Sequence, residues 1–285
     1  MPNLLIVGFN EELSGKTTIA RACLRYFLEN GIDAIGFKPL SGNNIWKHYD
    51  QIYNTLNEGR LYSNDAKLLN KEFVNITGKE RPIKEELINP VHRLWNEPAL
   101  IDPLTGIPNF IVDRVTLWDN DHQKTVLLNN KMTSFEYFDK NKFLKRLIYN
   151  ADEIYDIDNV EMFNTFVGYY YNLAISSAYD RIKRDFSLVI IESYGDIALP
   201  WNYSFNGLDL VIGVEPWNLY LFEPEKYLDA VELTTSSYFK EISTDQIKSL
   251  IKPIKKTRFK PVRSGRRIEM IKKIVSGLLK EFDFC

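Results

Sequence analysis

Residues 3–37 constrain the fold more than any other stretch. Leu4, Leu5, Ile6 and Val7 are four consecutive apolar residues. A run without polar alternation suits a strand covered on both faces, as in a parallel sheet. Ser14-Gly15-Lys16-Thr17-Thr18 follows, and then Ile19, Ala20, Cys23, Leu24, Phe27 and Leu28 recur at three and four spacing. That spacing places them on one face of a helix over 16–30. Gly31 ends the helix where a left-handed residue is favoured, and 33–37 reads as a second strand. Strand, loop, helix, glycine and strand within about 35 residues make a βαβ unit.

The rest of the chain continues in that rhythm, with one interruption. Residues 187–192 and 208–214 are further apolar strand candidates. Helical patterns cover 45–57, 63–72, 135–150, 163–184, 223–233 and 267–282. Residues 82–108 are rich in proline and polar turns. Phe110–Trp118 and Lys124–Leu128 read as a hairpin across Asp119-Asn120-Asp121-His122. An acidic patch follows (Asp152, Glu153, Asp156, Asp158, Glu161). The expected fold class is α/β: a mostly parallel sheet flanked by helices. It forms a single domain over 1–285, with a hairpin and helical cap inserted near 100–160.

The loop between the first strand and first helix carries the chemistry. Small residues let backbone N–H groups converge on phosphate oxygens, and the following helix adds its positive end. A lysine neutralises the terminal phosphates and a hydroxyl holds Mg²⁺. Gly15, Lys16 and Thr17 supply these parts. The usual spacing, Gly-x4-Gly-Lys-Ser/Thr, puts a glycine at 10, where Asn10 stands; Gly8 is the nearest upstream glycine. The nucleotide-binding candidates are Gly8, Asn10, Ser14, Gly15, Lys16, Thr17 and Thr18. Glu11 and Glu12, in the middle of this loop, would have to point away from phosphate. Lys38 and Glu192 stand at the ends of apolar strands, the edge of a parallel sheet where ligands bind. An acid at such a strand tip suits Mg²⁺, which takes hard oxygen ligands.

Several of these segments together resemble the dethiobiotin synthetases, P-loop NTPases whose phosphate loop, Gly-x5-Gly-Lys-Thr, is already longer than the common one. Gly8-x6-Gly15-Lys16-Thr17 is one residue longer again. Gly36-Phe37-Lys38-Pro39-Leu40-Ser41-Gly42 resembles the family's Gly-Tyr-Lys-Pro-Val-x-Ser-Gly. Ser63-Asn64-Asp65-Ala66 resembles its Ser-Asp-Ala segment, and Ile88-Asn89-Pro90 its Asn-Pro stretch. Glu192-Ser193-Tyr194-Gly195-Asp196 resembles its Glu-Gly-Ala-Gly-Gly, with Ser193 and Asp196 replacing two glycines. The likeness covers roughly 1–70 and 185–235. It implies a Mg²⁺-dependent, ATP-using enzyme that phosphorylates a carboxylate or carbamate of a small anionic substrate. Lys16 and Lys38 would be catalytic. Thr17, Asp65 and Glu192 would hold the metal, and Lys38 and Ser41 would contact substrate. The departures place the chain closer to a divergent relative, such as the uncharacterised predicted archaeal P-loop ATPase/GTPases. A second reading is a nucleotide-driven switch or partner-loading ATPase, which often carries another lysine near the loop's start. Phe9, Asn10, Glu11, Glu12 and Leu13 stand there instead. Asn/Thr-Lys-x-Asp, which selects guanine, is replaced by Glu215-Pro216-Trp217-Asn218, and GTP is not excluded.

Composition narrows the partners. A net charge of -2 favours neither nucleic acid nor an anionic membrane. Eight cations over 251–267 (Lys252, Lys255, Lys256, Arg258, Lys260, Arg263, Arg266, Arg267) read as a solvated surface. Tyr169-Tyr170-Tyr171 on a helix reads as core packing or a subunit interface. The family's homodimer is a possible assembly. Two cysteines (Cys23, Cys285) and three histidines (His48, His92, His122) make no disulfide framework or metal cluster. Met1-Pro2-Asn3-Leu4 lacks a basic leader, so a cytoplasmic protein is expected.

Overall fold

The computed structural model describes residues 2–10, 14–78, 83–133, 140–201, 207–234 and 242–281. The fold is mixed α/β. The chain divides into two compact units: Met1–Pro39, Leu68–Ile83 and Ile182–Cys285 in the first, Leu40–Lys67 and Lys84–Arg181 in the second.

The first unit is built on a six-stranded sheet. Its order is Lys255–Arg258, Asn218–Phe222, Leu208–Glu215, Asn3–Gly8, Leu188–Glu192 and Ala34–Phe37. The last four run parallel; the first two add on antiparallel. The apolar runs behave as their composition demands: Leu4, Leu5, Ile6, Val7 and Val189, Ile190, Ile191 are all fully buried. Helix Lys16–Glu29 packs against the parallel strands and against helix Arg267–Glu281. Two ion pairs tie the helices together, Arg25 to Glu269 at 3.5 Å and Lys272 to Glu29 at 2.6 Å. Glu72, wholly buried, accepts from both Arg21 and Arg25. Two glycines matter through their lack of a side chain. A Cβ on Gly36 would stand 2.8 Å from Leu69, and one on Gly213 2.6 Å from Phe9. Gly31 has φ 79°, the left-handed stop expected of it.

The second unit holds a five-stranded sheet in the order Leu40–Asn44, Val91–Trp95, Phe110–Asp119, His122–Asn130, Glu153–Ile157. The hairpin is present, with Asn120 in the left-handed region (φ 54°) at its turn. Three of the five strands differ from the sequence expectation. Val91–Trp95 lies in the proline-rich stretch read as turns, Glu153–Ile157 in the acidic patch, and Leu40–Asn44 where no strand was expected. The helix expected from 45 begins only at Tyr49, because Asn44 Oδ1 accepts the N–H groups of Trp46 and Lys47 at 2.8 and 3.1 Å. That side-chain turn competes with helix. The helical stretch expected over 163–184 is there, interrupted by a π-helical turn at Val167–Tyr171. One apolar core gathers Ile52, Leu56, Leu94, Val112, Leu127, Leu144 and Leu147. On the sheet, Arg93 pairs with Asp113 through two bonds at 2.8 and 2.7 Å and lies over the rings of Trp95, Phe110 and Phe163. Tyr171 bonds to that pair, so one tyrosine of the triplet packs inward while Tyr169 is exposed.

Among the described residues no helix is long and apolar enough to cross a membrane. The basic stretch forms the edge strand Lys255–Arg258, its side chains half-buried or exposed.

Candidate functional site

Parallel strands bring their C-terminal ends to one edge, and the first unit uses that edge. Gly8 ends one strand, Glu192 ends its neighbour, and Lys38 follows the next. The register sets Ile6 beside Glu192 and Phe37 beside Ile191. The two strand-end charges therefore lie close by construction, although 154 residues separate them.

The loop returns to this edge through Gly15. Its φ of 98° is strained for any residue with a Cβ. Its carbonyl accepts from the N–H groups of Thr18 and Ile19, which starts the helix. Lys16, buried despite its charge, curls back over Gly8; a Cβ there would stand 2.7 Å from the lysine Nζ and 2.5 Å from Ser14 Oγ. The Lys16 ammonium donates to Ser14 Oγ at 3.1 Å and to the Gly195 carbonyl at 2.5 Å. Phe9 anchors the upstream side of the loop. Its N–H donates to Val214, and its ring meets Tyr220 edge-on at 5.2 Å. Asn10 is exposed and Thr18 sits in the first helical turn. The middle of the loop, with Glu11 and Glu12, lies outside the described residues.

Thr17, Lys38 and Glu192 converge. Thr17 Oγ1 donates to Glu192 Oε1 at 2.8 Å, and Lys38 Nζ donates to the same oxygen at 2.8 Å. Lys38 also donates to the Ser193 carbonyl at 3.0 Å. The ion pair is almost shut off from solvent, with side-chain exposures of 3% and 1%. Taking two charges out of water is costly, and an apolar pair of similar volume is often as stable. Stability alone is therefore a poor account of this pair.

The turn after Glu192 is held from outside the sheet. Ser193 Oγ donates to the Ile197 carbonyl at 2.5 Å. Thr244 donates through N–H and hydroxyl to the Asp196 carbonyl at 2.6 and 2.7 Å. Ser193 and Asp196 thus shape this turn where the resemblance has glycines. Sequence reasoning missed the Gly195 and Ser193 carbonyls as partners of the two lysines, because a backbone acceptor leaves no mark in the residue type.

Asp65 and Ser41 belong to the second unit. Asp65 is half-buried in the first turn of helix Asn64–Thr77. Ser63 Oγ accepts the Ala66 N–H at 3.1 Å and caps that helix. Ser41 is buried in a polar chain of defined direction. Asn89 Nδ2 donates to the Val91 carbonyl at 2.7 Å, which turns its Oδ1 toward the Ser63 N–H and the Ser41 hydroxyl. The single Ser41 proton goes to Asn89 at 2.7 Å. The 2.6 Å contact between Ser41 Oγ and His92 Nδ1 then needs its proton from the histidine. His92 is a neutral Nδ1–H tautomer, and the Ser41 hydroxyl is already committed on both sides.

His92 is fully buried, and its pKa is held well below the usual histidine value by that burial first and then by the positive charge of nearby Arg114. The unfolded chain therefore binds the proton first as pH falls. Stability present above about pH 6.5 is lost below it, at about 1.4 kcal/mol per pH unit for one group. Urea midpoints measured from pH 7.5 to 5 should fall in the wild type and flatten in His92→Gln. Parallel curves for the two proteins would contradict the assignment.

Among the described residues no group of three or more His, Cys, Asp or Glu forms a metal cluster. The Thr17 hydroxyl and the buried Glu192 carboxylate form a small hard-oxygen set, which fits Mg²⁺ sharing its remaining positions with phosphate and water. No family model matches the chain, and no curated protein is significantly similar to it.

Proposed function

We propose that the first unit is a Mg²⁺-dependent nucleotide site of the P-loop kind. On this reading the chain is an ATP-dependent enzyme that phosphorylates a carboxylate or carbamate, as the dethiobiotin synthetase resemblance implies. The observation that carries this is the meeting of Lys16, Thr17, Lys38 and Glu192 at the C-terminal edge of the parallel strands, with Gly15 starting the helix behind them. Lys16 neutralises the β and γ phosphates, and the backbone N–H groups at the helix start cradle them. Thr17 and Glu192 would hold the metal; a metal role for Asp65 is implied by the resemblance alone. Mg²⁺ bound there would draw charge from the phosphates. Lys38 faces the transferred phosphoryl group and the substrate oxyanion. The substrate oxygen bonds to the γ-phosphorus as the bond to the β-bridging oxygen breaks, and nucleoside diphosphate leaves with that electron pair. Such transfer depends on positioning and charge, so no nucleophilic side chain is required.

Hydroxylamine tests this directly, because it captures acyl phosphates as hydroxamates. Wild-type protein with MgATP, hydroxylamine and a panel of small carboxylic acids should form hydroxamate and ADP in equal amounts for one acid class. ATP hydrolysis without any hydroxamate or substrate dependence would move the protein to the switch or partner-loading class.

A further inference from the structure

We propose that Lys38 is the resident counter-ion of Glu192: its ammonium closes the metal seat while the site is empty and must leave for a metal to enter. This rests on the magnesium-nucleotide reading above and deepens it.

Glu192 Oε1 already receives two donors, Thr17 Oγ1 and Lys38 Nζ, both at 2.8 Å. The two respond differently to an arriving dication. A hydroxyl can turn its proton away and present a lone pair, whereas a protonated lysine has none to present. The ammonium and the dication also repel each other, and among side chains nearly closed to solvent that repulsion is weakly screened. Thr17 can stay and become a ligand; Lys38 cannot stay. Its long flexible stem allows the withdrawal. The bond from Lys38 to the Ser193 carbonyl, at 3.0 Å, breaks in the same movement. Lys16 is held in a matching way by the Gly195 carbonyl. Both lysines are therefore tethered to the turn that follows Glu192, and an anionic partner would draw each of them from it. Phosphate oxygens supply one. Metal loading and delivery of Lys38 to the phosphoryl group become one coupled step.

The test uses Mn²⁺ without nucleotide, titrated into the full chain and followed by the electron spin resonance of the free ion. Lys38→Met keeps the length and removes the charge, so it should bind Mn²⁺ at least about tenfold more tightly than the wild type. The gain should vanish in Lys38→Met/Glu192→Gln, and Lys38→Arg should stay at the wild-type value. Equal or weaker Mn²⁺ binding by Lys38→Met would overturn the proposal. Should that variant not fold, the wild type serves: its Lys38 ammonium signal in ¹⁵N NMR, identified by its loss in Lys38→Arg, should shift when Mg²⁺ is added. An unmoved signal would overturn the proposal equally. A Mn²⁺ gain in a protein that binds no nucleotide would uphold the counter-ion role and remove the nucleotide reading. Nucleotide binding without the gain would do the reverse.

Discussion

Arg114→Met should destabilise the protein by about 3–5 kcal/mol, the range seen when one partner of a buried charged network is removed. Arg114 is among the largest side chains with almost no exposure to solvent. Its guanidinium donates to the carbonyls of Leu61 at 2.8 Å, Pro90 at 2.7 Å and Asn89 at 2.7 Å, and to Thr116 Oγ1 at 2.9 Å. One side chain thus joins the segment before helix Asn64–Thr77, the Asn89-Pro90 turn and the strand Phe110–Asp119. Burial pulls its pKa down to about 10, against the opposing pull of Glu86. It is still charged at neutral pH. Methionine fills much of the same volume but donates nothing, so these buried carbonyls lose their donor. Lysine keeps the charge but not the planar fork, and should recover less than half of the loss. Equilibrium urea unfolding measures both. A loss under 1 kcal/mol in Arg114→Met would show that the network is dispensable.

Arg114 also marks where sequence reasoning stops. Four apolar residues in a row announced the strand Asn3–Gly8, and the three-four spacing announced the helix Lys16–Glu29, because burial on known faces leaves a periodic trace. Nothing in Leu-Ser-Gly-Asn-Asn announces the strand Leu40–Asn44. Its residues are poor strand formers, and it exists through backbone pairing with Val91–Trp95. Glu153–Ile157 read as an acidic patch because charge is common on an edge strand, where it discourages further pairing. The site divides in the same way. Lys16 and Thr17 are legible from spacing, and Lys38 and Glu192 from standing at strand ends. The convergence of Thr17 and Lys38 on one carboxylate oxygen of Glu192 depends on strand order, with Leu188–Glu192 between Asn3–Gly8 and Ala34–Phe37. No local pattern encodes that order.

Lys16→Ala should lower nucleotide-dependent turnover about a hundredfold or more, the scale of losing one charge-stabilising group from a phosphoryl-transfer site. The fold should persist. The lysine crosses over Gly8 at the loop and is absent from the apolar core; its loss frees the Ser14 hydroxyl and the Gly195 carbonyl, which lie at the sheet edge. A matched thermal midpoint would separate lost chemistry from lost structure. Arginine should not rescue, since its larger planar head does not fit where Ser14 and Gly8 confine the Lys16 ammonium.

Calorimetric titration of the wild type and Lys16→Ala with ATP, GTP and a non-hydrolysable analogue, with and without Mg²⁺, tests the central claim most directly. The wild type should bind at least one nucleotide more tightly with Mg²⁺ than without, and Lys16→Ala should lose at least about tenfold of that affinity. No heat from any nucleotide, or equal binding by the two proteins, would contradict a phosphate site at the edge formed by Gly15, Lys16 and Glu192.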